Sequence, residues 1–303
     1  MEGAVDLLAA ELGGFASVRD VRSHRASVDC RVRGGLQEIY DCRLYSSAAI
    51  RLPGRPGDVD FLVPLQESGL LAGEGALGFR VAPFERELVE LIERRLGWKN
   101  DPRGWTVNVT DSEQGWVAEL GPLHWPQRFG RSERLPWATN PVVAEVMVRL
   151  AKIRDGQRVL DPFCGSGTLL VAASRHAHGV QVIGSDCVAG SVELARRNLG
   201  SASLSVGLAE ELRHPAGSVH RVVSNLPFGK RVGSHRDNQR LYPAALGEIA
   251  RVLTEDGRAV LLTEDKRLFR ESVAGVRGLK IVRERLLRYN GATPTVFVLM
   301  PTR

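Results

Sequence analysis

Between residues 156 and 300 short apolar runs alternate with stretches of helical periodicity. GQRVLDPF, VQVIGSD, SLSVG, HRVVSNLPF, GRAVLLTED, LKIVRERLLRYN and TPTVFVLM read as strands. TLLVAASRHA, VAGSVELARRNLG, NQRLYPAALGEIARVL and KRLFRESVAGV read as helices between them, the second stopped by Gly200. This alternation predicts an α/β fold with a Rossmann-like, doubly wound, mostly parallel seven-stranded sheet and helices on both faces. Only a turn separates the last two β-like runs, which predicts one antiparallel edge strand.

Ligands of such sheets bind outside the carboxyl ends of the strands, near the point where strand order reverses. The first strand there runs into Asp161-Pro162-Phe163-Cys164-Gly165-Ser166-Gly167-Thr168, with a helix following at once. Gly165 and Gly167 permit a tight turn and close approach of the backbone to a ligand. A phosphate loop would need Lys-Ser/Thr after its last glycine, and a dinucleotide fingerprint a third glycine; neither is present. A purely structural glycine turn remains, and so does S-adenosylmethionine, whose amino-acid part is neutral overall. The next strand ends in VIGSD, so Asp186 is placed to accept ribose hydroxyls, to cap the following helix, or both.

The fourth strand ends in VSNLPFGKR, residues 223–231. Pro227 cannot donate to a ladder, so the strand must stop there. Asn, Pro and Gly are also ordinary turn residues, and Phe228 is a plausible core cap. The loop at 161–168, Asp186 and this segment nevertheless project from one sheet edge, which favours a site.

The first half is less periodic. AVDLLAAELGG and FERELVELIERRLG read as amphipathic helices, and ASVRDVRSHRASVDCRV and WTVNVTDSEQGWVAEL as short strands or hairpins. LPGRPGDVD is turn-rich, and PLHWPQRFGRSERLPWATN reads as a linker. The net charge of +6 is uneven: residues 1–135 hold 17 Lys+Arg against 20 Asp+Glu, residues 136–303 hold 24 against 15. A basic surplus in the second half fits a polyanionic partner or a solvated basic face. Cys30, Cys42, Cys164 and Cys187 form neither a CxxC pair nor a metal-like cluster, as expected of reduced thiols in a cytoplasmic protein. No apolar run reaches the length of a membrane span, and the N-terminal stretch carries acids where a signal peptide carries bases.

DPFCGSGT, SNLPFG and the preceding ATNPVVAEVMVRLA together resemble the THUMP-containing RNA guanine-N2 methyltransferases, within the class I S-adenosylmethionine-dependent amino-methyltransferases. The resemblance is specific over residues 136–303 and weaker over LQEIYDCRLYSSAAIRL and WTVNVTDSEQGWVAEL. It implies a ferredoxin-like subdomain at 1–60, a THUMP-like RNA-docking subdomain at 61–122, a linker at 123–138 and a methyltransferase domain at 139–303. S-adenosylmethionine is the implied cofactor, held by residues 161–168, Asp186, Cys187, Asn225, Thr139 and Asn140. Related enzymes often place an Asp for the adenine amino group after the third strand. Here Leu208 stands in that place, leaving Glu210 or a backbone group to substitute.

The implied reaction transfers a methyl group to an exocyclic base amine, preferably guanine N2, in tRNA or alternatively rRNA. No metal and no covalent nucleophile are needed; a monomer is expected. The Asn225 side-chain oxygen and the Leu226 carbonyl would accept the amine hydrogens, Pro227 would stiffen the turn, and Phe228 would stack on the flipped base. Lys230, Arg231, Arg236 and Arg240 would hold flanking phosphates. A DNA-base or glutamine amino-methyltransferase and a non-catalytic RNA-binding relic are the competing readings. The basic run 266–288 is a further candidate RNA path, or a solvated face.

Overall fold

A computed structural model describes residues 1–68, 77–112, 115–130, 132–200, 202–228, 234–289 and 291–302. They cluster into two compact units. One comprises Met1–Leu8, Ser23–Val28 and Arg131–Arg303, the other Ala9–Arg22 and Asp29–Gly130.

The first unit contains a seven-stranded sheet. Its strands are β1 (Arg158–Asp161), β2 (Gln181–Asp186), β3 (Ser203–Val206), β4 (Val219–Asn225), β5 (Leu253–Thr263), β6 (Leu279–Leu286) and β7 (Thr295–Pro301). Their spatial order is β3-β2-β1-β4-β5-β7-β6. Strands β3, β2, β1, β4 and β5 pair in parallel, and β7 pairs antiparallel with both β5 and β6. The edge strand β6 pairs antiparallel with its neighbour, as expected, and β7 inserts one place inside the edge. The physical reason lies in the side chains. Val296, Phe297, Val298 and Leu299 are buried on both faces, as an interior strand requires, whereas β6 alternates charged residues.

Helices α1 (Pro141–Ala151), α2 (Thr168–Ser174), α3 (Ala189–Leu199), α4 (His235–Val252) and α5 (Lys266–Gly275) complete this unit. Three of them start on a side-chain cap. Asn140 caps α1 by accepting from Val142 N at 2.9 Å, with Pro141 in the first turn. Ser234 and Asp265 cap α4 and α5 through Asp237 N and Leu268 N. Gly200, at φ +60°, ends α3 as its sequence predicts. Tyr242, Leu246 and Ile249 of α4 pack with Phe269 of α5, Leu160, Val222 and Leu226 into one core. Each such side chain contributes roughly 1.5–3 kcal/mol on burial. That core supports the strand ends β1 and β4, where the order reverses.

The second unit contains a five-stranded sheet in the order 49–51, 115–120, 107–112, 78–82, 99–100. The helix Arg86–Leu96 connects the parallel strands Gly78–Ala82 and Lys99–Asn100, ending at Gly97 with φ +67°. The stretch expected as a linker holds a short helix, Trp125–Arg128. Arg128 is buried there, donating to the carbonyls of Cys42, Tyr45 and Leu123, its guanidinium over the Tyr45 ring. Among the described residues no helix is long and apolar enough to cross a membrane.

Candidate active site

The loop after β1 is held by β2 and by a turn of its own. Cys164 N donates to Ser185 O of β2 at 2.9 Å, and Gly167 N returns to Cys164 O at 2.8 Å. Gly165 N donates to Asp186 Oδ2 at 2.9 Å. Gly167 adopts φ +83°, and a Cβ there would stand 2.8 Å from Leu199 Cδ1 and 3.3 Å from Ala195 Cβ. Any side chain at 167 would thus strain the backbone and push α3 from the loop.

Asp161 lies at the floor, 1% exposed. Its Oδ1 accepts from Ser224 Oγ at 2.6 Å and from Phe163 N at 3.1 Å. Burial raises its carboxyl to about 7, and the nearby Asp186 charge acts in the same direction. Asp186 binds two backbone amides: Oδ1 accepts from Val188 N at 2.9 Å just before α3, while Oδ2 accepts from Gly165 N. Both oxygens retain lone pairs for a further donor.

Asn225 ends β4 opposite Leu262 of β5. Its Nδ2 donates to Thr139 Oγ1 at 3.0 Å. Its Oδ1 is buried and has no hydrogen-bond partner among the described residues. The amide is thus oriented by Thr139, with an acceptor left over. Leu226 is buried, and its N donates to Leu262 O at 3.0 Å, which carries the ladder one residue past the strand. Pro227 and Phe228 are half-buried. The structure therefore brings residues 161–168, Asp186, Thr139 and Asn225–Phe228 to one sheet edge.

Other expected residues sit differently. Asn140 is occupied as the α1 cap. The Cys164 thiol is buried, whereas Cys187 is exposed beside Asp186. Partial burial, the Asp186 carboxylate and then Glu210 push the Cys187 thiol up, which places Glu210 on this side of the site. Exposed Val188 and Leu208 lie beyond the tips of the neighbouring strands β2 and β3, offering apolar surface that a planar ring can cover. Arg236 and Arg240 are exposed in the first turns of α4. Lys230 and Arg231 lie outside the described residues.

Four residues that sequence reasoning missed hold these parts. Asn238 Nδ2 and Tyr242 Oη donate to Pro227 O at 2.8 and 2.7 Å, and Tyr242 Oη also meets Thr263 Oγ1 at 2.9 Å. A buried Asn and Tyr four residues apart on the apolar face of α4 were the available signal. Asn198 Nδ2 donates to Ser166 O at 2.9 Å and Glu133 O at 2.8 Å, and Arg197 pairs with Glu133 at 2.8 Å. Nothing in the local sequence marks that bridge.

The basic run 266–288 is largely neutralised within the chain. Arg267 pairs with Glu271, Arg270 with Glu284, Arg283 and Arg285 with Asp6, and Arg288 with Glu2. Of these, Arg283, Arg285 and Arg288 hold the N-terminal residues Asp6 and Glu2, while the Arg267 pair lies on an open, solvated face.

The donor set fits S-adenosylmethionine. A backbone cradle at 165–167, a carboxylate at the β2 tip and the unpartnered buried Ser166 Oγ and Asn225 Oδ1 provide both neutral and anionic acceptors.

Comparison with known proteins agrees. The model of the UPF0020 family, an RMKL-like methyltransferase domain, matches residues 129–293. A tRNA (guanine(6)-N2)-methyltransferase of Thermus thermophilus is 32% identical over 242 residues, 75% of this chain and 70% of that protein. The bovine tRNA (guanine(6)-N(2))-methyltransferase THUMP3 is 30% identical over 63% of this chain, which spans only 42% of that relative. The crystal structure of TrmN from Thermus thermophilus superposes with a TM-score of 0.78 at 26% identity, covering 99% of this chain and 97% of that one. S-adenosylmethionine is the cofactor of this fold. With more than half its length matched by that family model, the chain belongs to the UPF0020 family of RMKL-like methyltransferases.

Proposed function

We propose that this chain is an S-adenosylmethionine-dependent RNA methyltransferase acting on the N2 amine of a guanosine in tRNA. The observation that carries the reading is Asn225 Oδ1, a buried acceptor without a partner among the described residues, whose amide is oriented by Thr139. A guanine amine is a poor nucleophile because its lone pair is delocalised into the ring. Asn225 Oδ1 and the Leu226 carbonyl accept the amine hydrogens as positive charge builds on nitrogen, and Phe228 stacks on the extruded base. When bound, S-adenosylmethionine supplies the electrophilic methyl group. The cradle at 165–167, Asp186, Cys187 and Glu210 hold its amino-acid and nucleoside parts, with Thr139 fixing the acceptor. Arg236 and Arg240, with Lys230 and Arg231, take flanking phosphates.

The names of the relatives support the substrate, since they specify guanine N2 in tRNA or, for the THUMPD2 proteins, in U6 snRNA. Position 6 of tRNA is accordingly the first place to look. In this reading residues 1–60 and 61–122 are ferredoxin-like and THUMP-like subdomains that dock the RNA, 123–138 a linker, and 139–303 the catalytic domain of a cytoplasmic monomer.

Incubating the protein with labelled S-adenosylmethionine and total RNA from a strain lacking the gene tests this directly. Nucleoside mass spectrometry is expected to show N2-methylguanosine in the tRNA fraction. Methyl-adenosine, methylated DNA or labelled protein would overturn the assignment, and label confined to rRNA would keep the chemistry while discarding tRNA.

A further inference from the structure

One short turn ties the cofactor loop to the acceptor. Leu135 approaches Gly165, its Cδ1 standing 3.9 Å from where a Cβ on that glycine would be. Four residues later, Thr139 holds Asn225. Arg134 Nη2 reaches across the turn to the carbonyls of Thr139 at 2.7 Å and Ala138 at 3.5 Å, and Ala138 N closes it onto Leu135 O at 2.9 Å. Pro136 stiffens the second position, as in ordinary tight turns. The third position is Trp137, with half its surface (50%) open to solvent.

A tryptophan is a costly residue to leave exposed at the tip of a turn braced at both ends. Its large planar face suits an unpaired base, because every base has a π-face and stacking is tolerant of sequence. Two residues of backbone span at most about 7 Å, so the indole is anchored within that reach of Thr139, the partner of the acceptor. Phe228 already serves the extruded guanine. We propose that Trp137 is a stacking platform for the unpaired base adjacent to the target guanosine, so that an unstacked neighbour is part of what the enzyme selects. This inference rests on the RNA reading above.

Three variants separate the possibilities, with unmodified tRNA as probe. Trp137→Ala and Trp137→Leu are expected to lower kcat/KM for tRNA roughly 5- to 100-fold, mainly through KM, and Trp137→Phe to lie within a few-fold of wild type. Affinity for S-adenosylmethionine should be unchanged in all three. Saturating tRNA should also quench tryptophan emission more in wild type than in Trp137→Phe. An unaltered kcat/KM in the Leu variant would overturn the platform while leaving the RNA reading intact. A loss of cofactor affinity equal to the loss of kcat/KM would also overturn it, assigning Trp137 to the cofactor loop. Wild-type protein that binds S-adenosylmethionine yet labels no RNA would remove both readings.

Discussion

Thr139 Oγ1 receives the side-chain amide of Asn225 at 3.0 Å, and this one bond decides which end of that amide meets a substrate. With Nδ2 occupied, the free acceptor is Oδ1. Asn225→Ala should therefore lower turnover by roughly 10²–10³-fold while preserving cofactor affinity. Thr139→Val should lower turnover more mildly, because the amide survives but its orientation is no longer imposed. Single-turnover methylation with calorimetric cofactor binding checks both. Lost binding with intact turnover of the bound complex would make the segment purely structural.

Asp186 holds two backbone amides from two elements. Asp186→Ala should weaken cofactor binding by about 1.5–3 kcal/mol and also lower Tm, since Gly165 N and Val188 N both lose an anionic acceptor. Calorimetry and thermal melts read the two effects separately. A reduced Tm with undiminished cofactor affinity would restrict Asp186 to capping.

Tyr242 supports the catalytic turn through its hydroxyl alone. Burial raises that hydroxyl to about 12, so it remains a donor throughout the working range. Tyr242→Phe removes one of the two bonds to Pro227 O and should cost about 1 kcal/mol of stability. It should lower kcat several-fold with KM for RNA unchanged, because the turn loosens without losing a substrate contact. An unchanged kcat would show that Asn238 suffices.

Asp161 predicts a dependence on pH. Its carboxyl is raised to about 7 in the folded chain from an ordinary 3.8, so the native state holds the proton more tightly than the unfolded state. The resulting stabilisation is complete below about pH 4 and is lost as pH rises through about 7. Asp161→Asn retains an acceptor for Ser224 and Phe163 but does not ionise. Its Tm should exceed that of wild type at pH 8, with the gap closing by pH 5. A gap independent of pH would show that Asp161 stays charged.

The cations of β6 and α4 should divide by function. Arg285→Ala, which leaves Asp6 only its longer contact with Arg283, should cost about 1 kcal/mol of stability and leave the salt dependence of RNA binding alone. Reversing Arg236 and Arg240 should weaken RNA binding and flatten its dependence on salt, with Tm little changed. Equal salt slopes in both variants would return the α4 charges to solvent.

Much of the catalytic unit was legible because its signals are local. Gly165 and Gly167 announce a tight loop, Pro227 ends a strand, Gly200 ends a helix, and apolar runs mark strands buried on both faces. Long-range pairing was not legible. The inward place of β7 depends on which neighbours cover it, and the pairing of Arg285 with Asp6 spans nearly the whole chain. Asn198, Asn238 and Tyr242 escaped notice for a similar reason: each acts on a backbone carbonyl that pattern reading does not see.

The pairing of Asp6 with Arg285 means that the catalytic unit is interrupted in sequence, with residues 9–22 and 29–130 forming excursions from it. During synthesis Asp6 emerges long before Arg285, and must wait for the 278 residues between them before the β6 edge can receive it. The same arrangement defeats dissection. A fragment begun at residue 131 would contain every residue of the methyl-transfer site and still leave the guanidinium of Arg285 without its counter-charge. Removing both excursions and splicing each pair of ends with a short linker is the cut that respects how this unit is built.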